Sequence, residues 1–155
     1  MAALAWASLM LLLFEVMPFV QQRYRVARGP QNTGLGGSSL GALIALFTVI
    51  ERPGIVGRLL AESPSLYVSH RRLLKRSRRF HQWPQKVYLG MGTRESERAE
   101  RNQQFVEELR DLERSLRRAG LGENRLRVRI DEGASHNEGE WARRFPEALT
   151  FLFGN

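Results

Sequence analysis

The chain has 155 residues, 43% of them hydrophobic and 26% charged, enough to bury a core and unlike the composition of disordered or collagenous chains. Its net charge is +8, from 24 Lys and Arg against 16 Asp and Glu, and lysine occurs only at Lys75 and Lys86. With no cysteine, disulfides, thiolate catalysis and Cys-ligated zinc are excluded, while the cationic surplus favours acidic partners in general.

Residues 1–14 are almost wholly apolar, with Ser8 the one polar interruption. No basic residue precedes this run, as a signal peptide would require; the first cations are Arg23, Arg25 and Arg28. Glu15 and Pro18 cut the run short of the ~20 apolar residues a membrane span needs. The expectation is therefore a buried helix from about Leu4 to Arg25, kinked or split at Pro18, with no membrane span and a cytoplasmic location.

After the polar turn Arg28 to Thr33, a short lead Gly34 to Gly37 meets Ser38-Ser39 and then the apolar run Leu40 to Ile50. This reads as strand, tight turn and helix, the helix stopping by Arg52 before Pro53-Gly54. Arg58 to Ala61 is a brief buried strand ending at Glu62-Ser63-Pro64-Ser65, and the basic stretch His70 to Arg79 separates it from the strand Lys86 to Gly90. Phe105, Leu109, Leu112 and Leu116 form one apolar stripe on a long charged helix ended by Gly120 and Gly122. Arg125 to Ile130 alternates charged and apolar residues, as a half-buried edge strand would. Glu138 to Phe153 is helical, with Pro146 a kink or the start of a second short helix. Strands alternating with helices predict an α/β fold, a short, mainly parallel sheet between helical layers, with ligands at the carboxyl ends of the strands.

The segment Gly37-Ser38-Ser39-Leu40-Gly41 has the G-x-S-x-G form of a nucleophile elbow between strand and helix. So sharp a turn asks for residues without side chains at Gly37 and Gly41, exposes the Ser39 hydroxyl, and aims the Leu40 N–H at a forming oxyanion. A plain Gly/Ser loop is the alternative. A serine nucleophile needs a base and a carboxylate, in the chain order Ser, acid, His. His136 follows the last strand and fits the base, with a helix-capping role as its alternative; His70 and His81 precede a strand and read as surface residues. Glu95, after the strand Lys86 to Gly90, fits the acid, followed by Asp131 and then Glu97. No metal-ligand spacing such as HExxH occurs, and no cofactor is expected. Tyr67, Phe80 and Trp83 near the His70 to Arg79 run could stack bases, but a solvated charged face is the expected reading, and nucleic acid is not the expected partner.

Phe19 to Arg25, the elbow Gly36 to Gly41, Glu62-Ser-Pro-Ser65, Val87-Tyr-Leu-Gly-Met-Gly92 and the Gly133 to Trp141 histidine loop together resemble the enterochelin-esterase-like group of bacterial esterases, related in fold to esterase D and feruloyl esterases. The resemblance runs from about Glu15 to Phe153 and implies an α/β-hydrolase fold. It implies cleavage of a small carboxylic ester through an acyl-serine intermediate, with Ser39, Glu95 and His136 as nucleophile, acid and base. It has no counterpart for residues 1–14. In such enzymes several strands and a second oxyanion N–H precede the elbow, whereas only residues 1–38 precede Ser39 here. The expected organisation is one domain: an N-terminal helix region, 1–30, and the C-terminal half of a hydrolase, 31–155. The elbow strand would then be a sheet edge, so a homodimer pairing two such strands is expected, and a non-catalytic scaffold that self-associates or binds anionic partners is the alternative.

Overall fold

The computed structural model describes residues 2–154. Four parallel strands form one sheet in the spatial order β1-β2-β3-β4: β1 (Gly34–Ser38), β2 (Arg58–Glu62), β3 (Lys86–Arg94) and β4 (Leu126–Ser135). Parallel neighbours need crossovers, and helices α3 (Leu40–Glu51), α4 (Val68–Ser77) and α5 (Ala99–Arg118) supply one after each of the first three strands. These three helices share the larger core, whose centre includes Leu46, Leu59, Leu74, Val87, Leu89, Leu109 and Leu112. Helix α6 (Glu138–Phe153) covers the opposite face, packing Ala148 and Leu152 against Tyr88 of β3. The arrangement is the α/β-hydrolase-like three-layer sandwich expected. Both β3 and β4 run past their predicted ends, and their register slips between Gly92 and Arg94, immediately before Glu95. Pro146 lies inside α6 and starts no separate helix.

The N-terminal segment departs from the sequence reading. Helix α1 (Ala2–Met10), a π-helical stretch (Leu11–Val16) and α2 (Met17–Arg23) follow one another without a break. The wide turn ends just before Pro18, where the missing N–H and the ring would disrupt an ordinary α-helical register, so the proline changes the helix type instead of ending it. The helix is not buried. Leu9 and Leu13 are covered, but Leu4, Leu11, Phe14 and Phe19 are each at least half exposed. Ala3–Arg23 makes 21 helical residues, long and apolar enough by length and composition to cross a membrane, with 11% of its apolar window buried. Glu15 and Pro18 therefore do not divide it.

Helix α4 also differs from a freely solvated charge run. Leu73, Leu74 and Ser77 face the core, while Arg71 pairs with Glu108, Arg76 with Glu51 and Arg78 with Asp111. Acids on α3 and α5 thus pair with three of the six cations in the run 70–79: Arg71 and Arg76 of α4 and Arg78 just after it. Strand β1 pairs with β2 alone and forms one edge of the sheet.

Candidate active site

The carboxyl ends of all four strands converge on one region. Ser39 follows β1 with φ 56° and ψ −120°, a left-handed conformation that a non-glycine residue adopts only when its surroundings impose it. What imposes it is visible: Ser39 N–H donates to Glu62 O (2.9 Å), while Ser39 O accepts from Leu43 N (3.2 Å) and Ser65 N (3.3 Å). The Ser39 hydroxyl stands 3.4 Å from Ser65 Oγ. Leu40 opens α3, so its N–H belongs to the first turn, whose amides have no partner within the helix and carry the positive end of its dipole.

The two elbow glycines are not equivalent. A Cβ on Gly37 would lie 2.6 Å from the Gly41 carbonyl carbon, so the turn closes only on a bare backbone. At Gly41 a Cβ would meet nothing within 4 Å, which corrects the expectation that both positions must lack a side chain. Gly37→Ala is expected to cost about 1–3 kcal/mol of stability by overpacking. Gly41→Ala should be neutral or stabilising by up to ~1 kcal/mol through helix propensity. Thermal denaturation of the two variants checks the contrast.

Glu95 and His136, distant in sequence, meet: His136 Nδ1 lies 2.5 Å from Glu95 Oε2. The other carboxylate oxygen of Glu95 accepts from Ser63 Oγ (2.7 Å) and from Gly92 N–H (2.6 Å). Trp141 closes the group, donating from Nε1 to Ser63 Oγ (3.0 Å) and standing edge-on to the His136 ring at 5.0 Å. Glu95 is thus held from three sides while the His136 ring remains partly exposed. Ser65, Glu95 and His136 line one cavity of about 180 Å³ with Tyr67, Met91 and Phe105. Among the described residues, no hydrogen bond joins Ser39 to His136; the Ser39 hydroxyl instead meets that of Ser65, which lines the cavity.

Asp131 is engaged elsewhere. It accepts from Arg129 (2.5 Å), Arg143 (2.9 Å) and Arg144 (3.3 Å). Burial opposes its charge, but the hydrogen bonds from Arg129 and Arg144 outweigh this and hold its carboxyl below the usual range. Glu97, His70 and His81 are exposed. Among the described residues no group of three or more His, Cys, Asp or Glu could hold a metal ion.

Sequence reasoning passed over Glu62, Ser63, Ser65, Trp141 and Arg144 as site residues. The turn after β2 could have signalled three of them, because ligands gather where parallel strands end. Glu62 is buried at 3% exposure and accepts from Arg144 Nε (2.9 Å), while its Oε1 has no partner. Burial pushes its carboxyl up to about 7, aided by the neighbouring Glu95 and Asp131 and only partly opposed by Arg144. The folded state therefore holds this proton more tightly than the unfolded chain. Its stabilising contribution is full below about pH 4.5 and is lost as pH rises through about 7. Urea unfolding across pH 5 to 8 should show stability falling over that window, with a smaller fall in Glu62→Gln.

The family model named Esterase, described as Putative esterase, matches residues 5–152, and the chain belongs to that family. The match begins within residues 1–14, for which the sequence motifs offered no counterpart. Uncharacterized protein YbbA of Bacillus subtilis is 25% identical over 141 residues, covering 90% of this chain and 56% of the relative. The enterobactin esterase FES of Shigella flexneri superposes with a TM-score of 0.74 at 21% identity, covering 90% of this chain and 36% of that one. The CE1 ferulic acid esterase AmCE1/Fae1A of Anaeromyces mucronatus gives 0.69 at 20% identity, with 94% and 54% covered. The siderophore hydrolase EstB of Aspergillus nidulans gives 0.70 at 20%, with 95% and 57% covered. The chain spans about half the length of the curated relative it matches.

Proposed function

We propose that this chain cleaves carboxylic esters of small molecules through an acyl-Ser39 intermediate. The observation that carries the reading is the Glu95-His136 pair at the strand ends, which shares a cavity with Ser65, the residue whose hydroxyl meets that of Ser39 in its strained elbow conformation. In the reaction the Ser39 hydroxyl turns from Ser65 toward the second ring nitrogen of His136. Ser39 Oγ bonds to the ester carbonyl carbon as its proton passes to that nitrogen. The carbonyl oxygen takes the negative charge and is met by the Leu40 N–H. Collapse breaks the bond to the alkoxy oxygen, which receives the proton from His136; water then repeats the sequence and frees the acid. Glu95 acts as a positioning residue that fixes the His136 tautomer and offsets the imidazolium charge. Family membership and the esterase-like fold support the class of reaction.

A fluorophosphonate probe tests this directly. It is expected to label the wild-type chain at Ser39 and to leave Ser39→Ala unlabelled; equal labelling of both removes the proposal. A second reading, a scaffold that self-associates without turnover, draws on the single-sided pairing of β1. It requires a dimer in sedimentation and ester hydrolysis indifferent to Ser39→Ala.

A further inference from the structure

A second, larger cavity of about 460 Å³ opens between α1, α3 and α4, within the range of small-molecule sites. Leu4 and Trp6 of α1 and Leu40, Leu43, Ile44 and Phe47 of α3 form most of its apolar lining. Its polar lining consists of Ser69, Arg72 and the Glu51-Arg76 ion pair. Trp6 is fixed as a wall, edge-on to Phe47 at 5.5 Å with the Arg52 guanidinium over its ring. So apolar a space favours a ligand made of hydrocarbon.

Its position relative to Ser39 decides which part of a substrate it would take. Ser39 is linked to both cavities through its neighbours: its hydroxyl meets Ser65, which lines the smaller one with His136, and the next residue, Leu40, lines the larger. The alkoxy group must leave on the His136 side, because that residue returns the proton to it. The acyl group is then left to the side of Leu40, whose N–H meets the carbonyl oxygen and whose side chain lines the larger cavity. We infer that this cavity binds the acyl chain and that the enzyme prefers medium-chain aliphatic acyl esters. The inference rests on the ester-cleaving reading above.

Two measurements separate the failure of one from the failure of the other. In the first, kcat/KM is compared for p-nitrophenyl acetate, hexanoate, decanoate and benzoate. It should rise with chain length, by up to about fourfold per methylene while the cavity fills, and decanoate should exceed benzoate. Ile44→Trp, which fills the cavity, and Leu4→Arg, on an exposed position that costs the core nothing, should each lower the decanoate-to-acetate ratio at least about tenfold. In the second, calorimetry with sodium decanoate should detect binding to Ser39→Ala and its loss when Ile44→Trp or Leu4→Arg is added. Hydrolysis best with acetate or benzoate, together with no decanoate binding, overturns the acyl-chain site while ester cleavage stands. Cavity-dependent decanoate binding without any Ser39-dependent turnover upholds the aliphatic site and removes the esterase reading.

Discussion

His136→Ala is expected to lower kcat for an activated ester by roughly 10⁴- to 10⁶-fold, with KM changed much less. In the proposed mechanism, losing the imidazole leaves the Ser39 hydroxyl without an acceptor for its proton and the leaving alkoxide without a donor. The Leu40 N–H and substrate binding would still act, so turnover should stay above the uncatalysed rate. Glu95→Gln is expected to fall less, by about 10⁴-fold, for a geometric reason. Glu95 faces His136 with one oxygen while Ser63 Oγ and Gly92 N–H donate to the other. An amide placing its oxygen on those two donors would turn its NH₂ toward His136 Nδ1, favouring the wrong tautomer. Ser39→Ala/His136→Ala should be no slower than the worse single variant, because the two groups act as one unit. Steady-state kinetics of the three variants on p-nitrophenyl esters checks the series. Additive losses in the double variant would show that Ser39 and His136 do not work together.

At pH 8, where Glu62 is ionised in the folded wild type, Arg144→Met should be the most destabilising single change considered, at about 3–5 kcal/mol. Arg144 is 2% exposed and bridges Glu62 on β2 to Asp131 on β4 beneath the strand ends. Methionine keeps most of the volume but removes the cation, leaving the buried Glu62 without its hydrogen-bonded partner; Asp131 still has Arg129 and Arg143. In a domain of this size the loss corresponds to a fall in Tm of roughly 10–15 °C. Combining Arg144→Met with Glu62→Gln should recover part of it, since much of the cost is the stranded carboxylate and not the absent ion pair. Arg144→Lys should help little, because one ammonium cannot reach both acids as the planar guanidinium does. Differential scanning calorimetry of these four proteins distinguishes the terms, and an Arg144→Met protein melting within a few degrees of wild type would refute the account.

Periodicity and punctuation determined the element order and the parallel class. The alternation of apolar strands with the striped helix around Leu109 and Leu112 leaves few other architectures, and the Gly37 to Gly41 turn marks the first strand-to-helix corner by local sterics alone. Those are short-range properties, legible because each depends on neighbours a few residues away. Chain order likewise placed Glu95 and His136 at strand ends. Which carboxylate meets the histidine was decided by the tertiary structure: the β3-β4 register slip at Gly92 lies just before Glu95, while three arginines occupy Asp131. The buried Glu62-Arg144-Asp131 bridge joins two strands and a helix, and no local pattern announces it. The N-terminal helix shows the same limit from the other side. Composition there predicts burial, but burial depends on what else packs against the helix; in this chain α1 packs on α3, yet of the described residues up to Arg23 Leu9 and Leu13 alone are buried, and Trp6 lines a cavity with Leu40 of the elbow.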